Sequence, residues 1–248
     1  MGFGDSLIAT AVVKKAKSKF PDRPVCVGDG NTVHWCEVFD GNPHLSREIA
    51  PNCVWVRNYP GNRPYIKQIL LDRYLYDDRF HVEPGEIYLT KEETAFADRD
   101  FVYIEPNVKG ELGPNKDWGF DNWQKVVNTL PGIRFIQGNG RRLVGVEQRA
   151  TPSFRHACGL LSHANLFVGG DGGLHHAAAA LGKPAVVVWT GFSPSSVLGY
   201  DTHINLQAKT KICGRFAKCS HCEDAARAIT VENVIEGILR LIYQTGYV

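Results

Sequence analysis

The sequence predicts an α/β fold with a doubly wound parallel sheet, and three observations carry the prediction. From Asp100 onward, short apolar runs alternate strictly with amphipathic segments. The runs at 166–168 and 185–189 read as buried strands. Between them a glycine turn, Gly169-Gly170-Asp171-Gly172-Gly173, leads into an alanine-rich helix. The 248 residues, 44% hydrophobic and 22% charged, allow one large or two small domains at roughly 150 residues each. That balance excludes disorder, collagen-like repeats and coiled coil.

Taken in order, residues 5–19 set Leu7, Ile8, Ala11, Val12 and Ala16 at helical spacing. Asp5 or Ser6 stands as N-cap, and lysines occupy the last turn. Runs 25–27 and 53–56 each leave into a turn and read as short buried strands. Residues 62–82 read as a helix around Ile66, Ile69, Leu70 and Tyr74. Residues 86–89 read as a strand and 90–93 as the start of a capped helix. The second half reads as strands at 101–104, 133–136, 166–168 and 185–189, with helices at 122–130, 154–162 and 174–181. Residues 199–218 are polar and loop-like, and Thr230 caps a last amphipathic helix to 243.

A net charge of +2 supplies no electrostatic drive toward nucleic acid or an anionic membrane. No apolar run approaches the roughly 18 residues of a membrane span. Lys14 and Lys15 follow the first apolar stretch instead of preceding it, unlike a signal peptide. A cytoplasmic protein with at most peripheral membrane contact is expected. The start Met1-Gly2 with Ser6 matches a myristoylation pattern so short that chance explains it. Seven cysteines, an odd number in a chain this long, point to reduced thiols. Cys213, Cys219 and Cys222 cluster with His221; they are either structural thiols or three ligands of a zinc site completed by His221 or a remote group.

The glycine turn carries the chemistry. Glycines clear the way for an oxyanion to reach the amides of a helical first turn, where the dipole also favours negative charge. A diphosphate fits such a site; the alternative is a tight turn without a ligand. Asp171, His175 and His176 favour the ligand, because packing alone requires none of the three. Neither a dinucleotide fingerprint nor a P-loop is present, so hydride transfer and ATP hydrolysis lose support.

Asp171-Gly172-Gly173-Leu174-His175-His176 before an alanine-rich helix resembles the donor-site motif Asp-Thr-Gly-Leu-Ser-His of glycosyltransferase family 9, the heptosyltransferases. The resemblance extends to Lys116-Asp117-Trp118 (family Lys-x-Trp), to Cys219-x-x-Cys222, to Gly4-Asp5 and to Asn42-Pro43-His44. It implies a GT-B-like fold, two Rossmann-like domains facing a cleft, here an acceptor-side domain at 1–95 and a nucleotide-sugar donor domain at 96–248. It also implies metal-independent, inverting transfer of a heptose or related sugar from a nucleotide-sugar, ADP-heptose in the family, to a glycan or lipid-linked acceptor, with no cofactor.

In that scheme Asp5 is the catalytic base, although capping a helix is the commoner role of such an aspartate. Lys116, Gly172, Gly173 and Leu174 receive the diphosphate, Asp171 holds the donor sugar, and His176 ends the motif. Asn107 and Val108 line the diphosphate from the loop after strand 101–104. Gly172 stands for the family's Thr and His175 for its Ser, and the tract 137–142, where the family reads the nucleoside, holds no acidic ribose ligand.

The family enters its first loop from a buried strand, whereas only Met1-Gly2-Phe3 precedes Gly4 here. A segment upstream or a different strand is therefore expected to fill the gap. Two other functions remain open: a non-catalytic nucleotide-sugar binding module, and a sugar-nucleotide epimerase on the same architecture.

Overall fold

The computed structural model describes residues 2–109 and 113–246; Met1 of the expected opening segment lies outside them. Helix α1 (Phe3–Lys19) opens the chain. Its turns bury Leu7, Ile8 and Val13 fully, at about 2 kcal/mol for each large side chain. Parallel strands β1 (Val25–Val27) and β2 (Val54–Val56) follow. The outer edge of β1 is not left bare. Ser46 N–H donates to Val25 O and His34 N–H to Val27 O, both at 2.9 Å. Irregular segments thus bond to part of that edge.

The helix expected at 62–82 is instead an antiparallel hairpin, β3 (Ile66–Ile69) and β4 (Tyr74–Tyr76), bulged between Ile66 and Gln68. Its aromatic and β-branched residues favour a pleated surface. Tyr74 N–H donates to Gly214 O and Phe216 N–H to Asp72 O, so the second half of the chain supplies a partner edge. Residues 86–89 form no strand. The capping pair at Thr90 and Glu93 does close, Thr90 N–H to Glu93 Oε2 at 2.8 Å and Glu93 N–H to Thr90 Oγ1 at 3.3 Å, but only a turn follows. The buried Arg155 guanidinium grips the Glu93 carboxylate from across the molecule, which fixes the turn by tertiary contact.

The second half is a six-stranded, wholly parallel sheet in the order β10-β9-β8-β5-β6-β7. In chain order it comprises β5 (Val102–Glu105), α2 (Phe120–Thr129), β6 (Phe135–Gln137), β7 (Glu147–Gln148), α3 (Phe154–His163), β8 (Leu166–Gly170), α4 (Gly173–Ala180) and β9 (Ala185–Trp189). It ends with α5 (Ser195–Leu198), β10 (His203–Gln207), α6 (Ser220–Arg227) and α7 (Val231–Thr245). β10 and α6 were not expected. The alternation His-Ile-Asn-Leu-Gln is an edge strand whose polar residues work: Trp189 Nε1–H donates to Asn205 Oδ1, and Gln207 Nε2 donates to Thr190 O and Ser193 O.

Period-two alternation divides the sheet between two cores. Val102, Ile104, Val168, Val186 and Val188 meet α2 and α7. Tyr103, Phe167, Val187 and Trp189 meet α3 and α4, and that core continues through α1 into Val25, Val27 and Val56. The first half is thus packed directly on the second through α1 against α4. Among the described residues, no helix is long and apolar enough to cross a membrane.

Candidate functional site

The chain runs out to β6 and β7 on one side of β5, then returns to β8 on the other, so β5 and β8 flank the switch point of the sheet. Crevices at the carboxyl ends of such strands are the binding places of doubly wound folds. β8 ends there in the glycine turn, and α4 begins with amides that have no intrahelical partner. His175 is fully buried: Gly172 N–H donates to its Nδ1 at 3.1 Å, and its Nε2 stands 3.2 Å from Leu198 O. That pattern describes a neutral imidazole capping α4, and burial pushes its pKa down. His176 is buried too, its Nδ1 2.8 Å from the Tyr200 hydroxyl, and burial drives its pKa well below the usual value. Both rings therefore stay uncharged behind the turn.

Asp171 is buried and faces Lys116, with Nζ 2.7 Å from Oδ2, and accepts from the Ser193 hydroxyl. Burial works to raise its pKa, but Lys116 and then His175 outweigh it and hold the carboxyl below the usual range. Lys116 comes from a short helical turn whose position is fixed by Asn115: Nδ2 donates to Arg215 O and Ala217 O, both at 2.7 Å. Trp118 anchors the other end, its Nε1–H donating to Ile229 O at 2.9 Å and its ring packed edgewise on Trp123.

Asp5 is not the N-cap expected of it, nor is Ser6: the helix starts two residues earlier, Gly2 is the N-cap, and Asp5, the third residue of α1, accepts Gly2 N–H at 3.0 Å. Its carboxylate does more. The Tyr65 hydroxyl donates to Oδ1, Arg63 Nε stands 3.3 Å from Oδ2, and Asn58 Nδ2 donates to the Asp5 carbonyl at 2.6 Å. Burial, then the Asp5 carboxylate, raise the Tyr65 pKa, so Tyr65 remains a donor. None of these partners was readable beforehand, since each lies more than 50 positions from Asp5 and no local motif marks it.

The start of α1 is pressed against the start of α4. A Cβ on Gly4 would stand 2.7 Å from the His176 ring and 3.5 Å from Gly173 Cα; one on Gly173 would meet the Phe154 ring at 3.0 Å. Both positions accept only glycine without displacement. Beside this joint, at the seam of the two halves, opens a cavity of about 510 Å³. Phe3 and Glu37 line it from the first half, and Tyr103, Glu105, Asn139, Thr151, Phe154 and Leu174 from the second. Of the predicted site residues only Leu174 lines this cavity; Asp5, Lys116, Asp171, Gly172, Gly173 and His176 lie outside its walls.

Asn107 stands behind the wall: its N–H and Nδ2 donate to Glu105 Oε1 at 2.8 and 3.0 Å, and Arg141 N–H donates to its Oδ1 at 3.0 Å. Val108 follows it, half-buried. Burial pushes the Glu105 pKa up to about 7, against the pull of the Asn107 bonds.

Away from this seam, the Cys213 sulfur lies 3.1 Å from that of Cys222 and 3.8 Å from that of Cys219. Three sulfurs so grouped suit a thiophilic cation. His221, one of the two sources considered for a fourth ligand, has its Nε2 2.6 Å from Lys211 O.

The family model of glycosyltransferase family 9 (heptosyltransferase) matches residues 150–227, a segment that contains the glycine turn and α4. Among solved structures, the iron-containing dodecameric glycosyltransferase TibC from enterotoxigenic E. coli is similar over 98% of this chain and 74% of its own, with a TM-score of 0.72 at 16% identity. A family 9 glycosyltransferase from Veillonella parvula is similar over 98% and 95%, with a TM-score of 0.67 at 12% identity. The ADP-heptose lipopolysaccharide heptosyltransferase II of E. coli is similar over 65% and 54%, with a TM-score of 0.50 at 17% identity. The chain thus spans about half the length of that enzyme. No curated protein sequence matches it. At these identities the structural likeness is one of fold, the GT-B-like α/β fold with its six-stranded parallel sheet.

Proposed function

We propose that this chain, heptosyltransferase-like in the segment 150–227 and in its fold, transfers a heptose or related sugar from a nucleotide-diphosphate donor, ADP-heptose or a relative, to a hydroxyl of a glycan or lipid-linked acceptor with inversion. The observation that carries the reading is the joint of α1 and α4: the residue before Asp5 touches the residue that opens α4. This contact supports the reading that the acid and the turn serve one site. The acceptor side is assigned to residues 1–95 and the donor side to 96–248, and the work is placed in the cytoplasm, with at most peripheral membrane contact.

The donor diphosphate lies at the amides of Gly172, Gly173 and Leu174, beside the Lys116 ammonium, with Asn107 and Val108 shaping the loop that flanks it. Asp171, fixed by Lys116 and Ser193, orients the donor sugar's hydroxyls, and neutral His176 backs the turn. Asp5 takes the proton of the acceptor hydroxyl as its oxygen attacks the anomeric carbon from the face opposite the diphosphate. The bond from that carbon to the leaving oxygen breaks, and its electron pair departs on the diphosphate, where Lys116 and the α4 dipole offset the charge. These steps draw on no metal. Cys213, Cys219 and Cys222 would hold a cation of the kind that TibC is described as containing, as a staple of their own segment.

The test is Asp5→Asn with ADP-heptose as donor. Release of ADP is expected to fall by about 10²–10⁴-fold while donor affinity stays near that of the wild type, and wild-type turnover is expected to persist in EDTA. Undiminished turnover in Asp5→Asn sinks the assignment of the base. A wild type that binds donor but neither transfers nor hydrolyses it is a binding module, and one that returns an epimerised donor is an epimerase.

A further inference from the structure

We infer that Glu105, on the wall of the seam cavity, is the residue that selects a ribonucleotide donor, by accepting hydrogen bonds from the ribose hydroxyls. The inference rests on the reading that a nucleoside diphosphate docks at the start of α4.

Position comes first. Glu105 is the last residue of β5, on one side of the switch point, and stands in register with Gly169 of β8, two residues before Asp171. A nucleotide whose phosphates lie on the first turn of α4 has its sugar within reach of this strand end, because Leu174 of that turn lines the same cavity as Glu105. The two ends of the site also differ in charge. Lys116 and the helix terminus favour the anionic end of the ligand, whereas Glu37 and Glu105 line the cavity with carboxyl groups that would repel phosphate. The cavity therefore takes the uncharged end.

The state of the side chains then singles out Glu105. Its Oε1 is occupied by the two bonds from Asn107, and Asn107 is itself tied to Arg141, so the carboxyl is held in one orientation. Among the described residues none donates to Oε2. Two of the neighbouring polar groups are paired with each other: Asn139 Nδ2 donates to Thr151 O at 2.6 Å, and Thr151 N–H donates to Asn139 Oδ1 at 3.3 Å. A fixed carboxyl with an open acceptor oxygen suits vicinal hydroxyls, which donate to it, and it gains nothing from a deoxyribose that lacks one of them. The acidic ribose ligand that the tract 137–142 lacks is thus supplied from the adjacent strand.

The experiment is calorimetric titration of the full chain with ADP, UDP, GDP and CDP, followed by the 2′-deoxy counterpart of the tightest binder. The wild type is expected to bind the ribonucleotide about tenfold or more tightly than the deoxynucleotide. Glu105→Gln is expected to bring the two within about twofold, and Glu37→Gln to keep the preference. Thermal melts of both variants establish that they fold. Equal wild-type affinities, or a preference that survives in Glu105→Gln or vanishes in Glu37→Gln, overturn the inference. If Lys116→Ala still weakens the diphosphate in that case, the donor-site reading stands alone. Failure of all four diphosphates to bind overturns both.

Discussion

Asp5 shows how little of a site a single position declares. Its neighbours in sequence mark it as an N-cap, whereas it lies within the first turn and bonds back to Gly2, and Tyr65, Arg63 and Asn58 converge on it from the hairpin side of the fold. The acid was legible because its type and place at a helix start match a family pattern; its partners were not, because only the tertiary fold brings them near. Glu105 was illegible for a related reason. It falls just beyond the strand expected at 101–104, and only the cavity beside it gives the carboxyl a task.

Burial of Glu105 also has a cost that can be measured. The folded protein holds this proton up to about pH 7, whereas the unfolded chain releases it near 4.5. Between those values the unfolded state binds fewer protons, so stability falls as pH rises, and the loss is complete above about 7. The full effect is on the order of 3 kcal/mol. Urea unfolding at pH 5 and pH 8 is expected to show the wild type losing stability on that rise relative to Glu105→Gln. Parallel behaviour of the two proteins would contradict the burial argument.

At the scale of elements, the second half was legible and much of the first was not. Strands such as Ala185–Trp189, buried throughout between two helical layers, leave an unbroken apolar signature. The hairpin at 66–76 does not. Its apolar residues also fit a helical repeat, and what decides between the two is an edge lent by Gly214 and Phe216, far along the chain. β10 was hidden by polar residues that bind the loop carrying Ser193. The contact of α1 with α4 is the element-level feature on which the proposed site depends. Gly4→Ala would put a methyl carbon 2.7 Å from the His176 ring, an overlap expected to cost about 1–3 kcal/mol and to depress turnover with it. A melting temperature and turnover equal to the wild type would show that the two helix starts are not tightly joined.

At the scale of the molecule, the parallel sheet of the second half was foreseeable in class and in its strands β5, β6, β8 and β9, but not in β7 and β10, and the way the first half attaches was not foreseeable. The first half carries only β1 and β2 as a parallel sheet. It shares one core with the second half through α1, so its packing is fixed by the partner surface more than by its own pattern. Arg155 reinforces the joint. The buried guanidinium binds Glu93 and the carbonyls of Glu37, Asp40 and Tyr88, linking α3 to two loops of the first half. Charge, apolar core and glycine contacts thus meet along a single seam, where the starts of α1 and α4 adjoin.

The most direct measurement is a crystal structure of the Asp5→Asn protein with ADP-heptose bound. The account predicts the diphosphate on the amides of Gly173 and Leu174 beside Lys116, the ribose at Glu105, and the anomeric carbon facing residue 5 across the seam. A donor bound elsewhere, or one whose sugar turns away from residue 5, would contradict it.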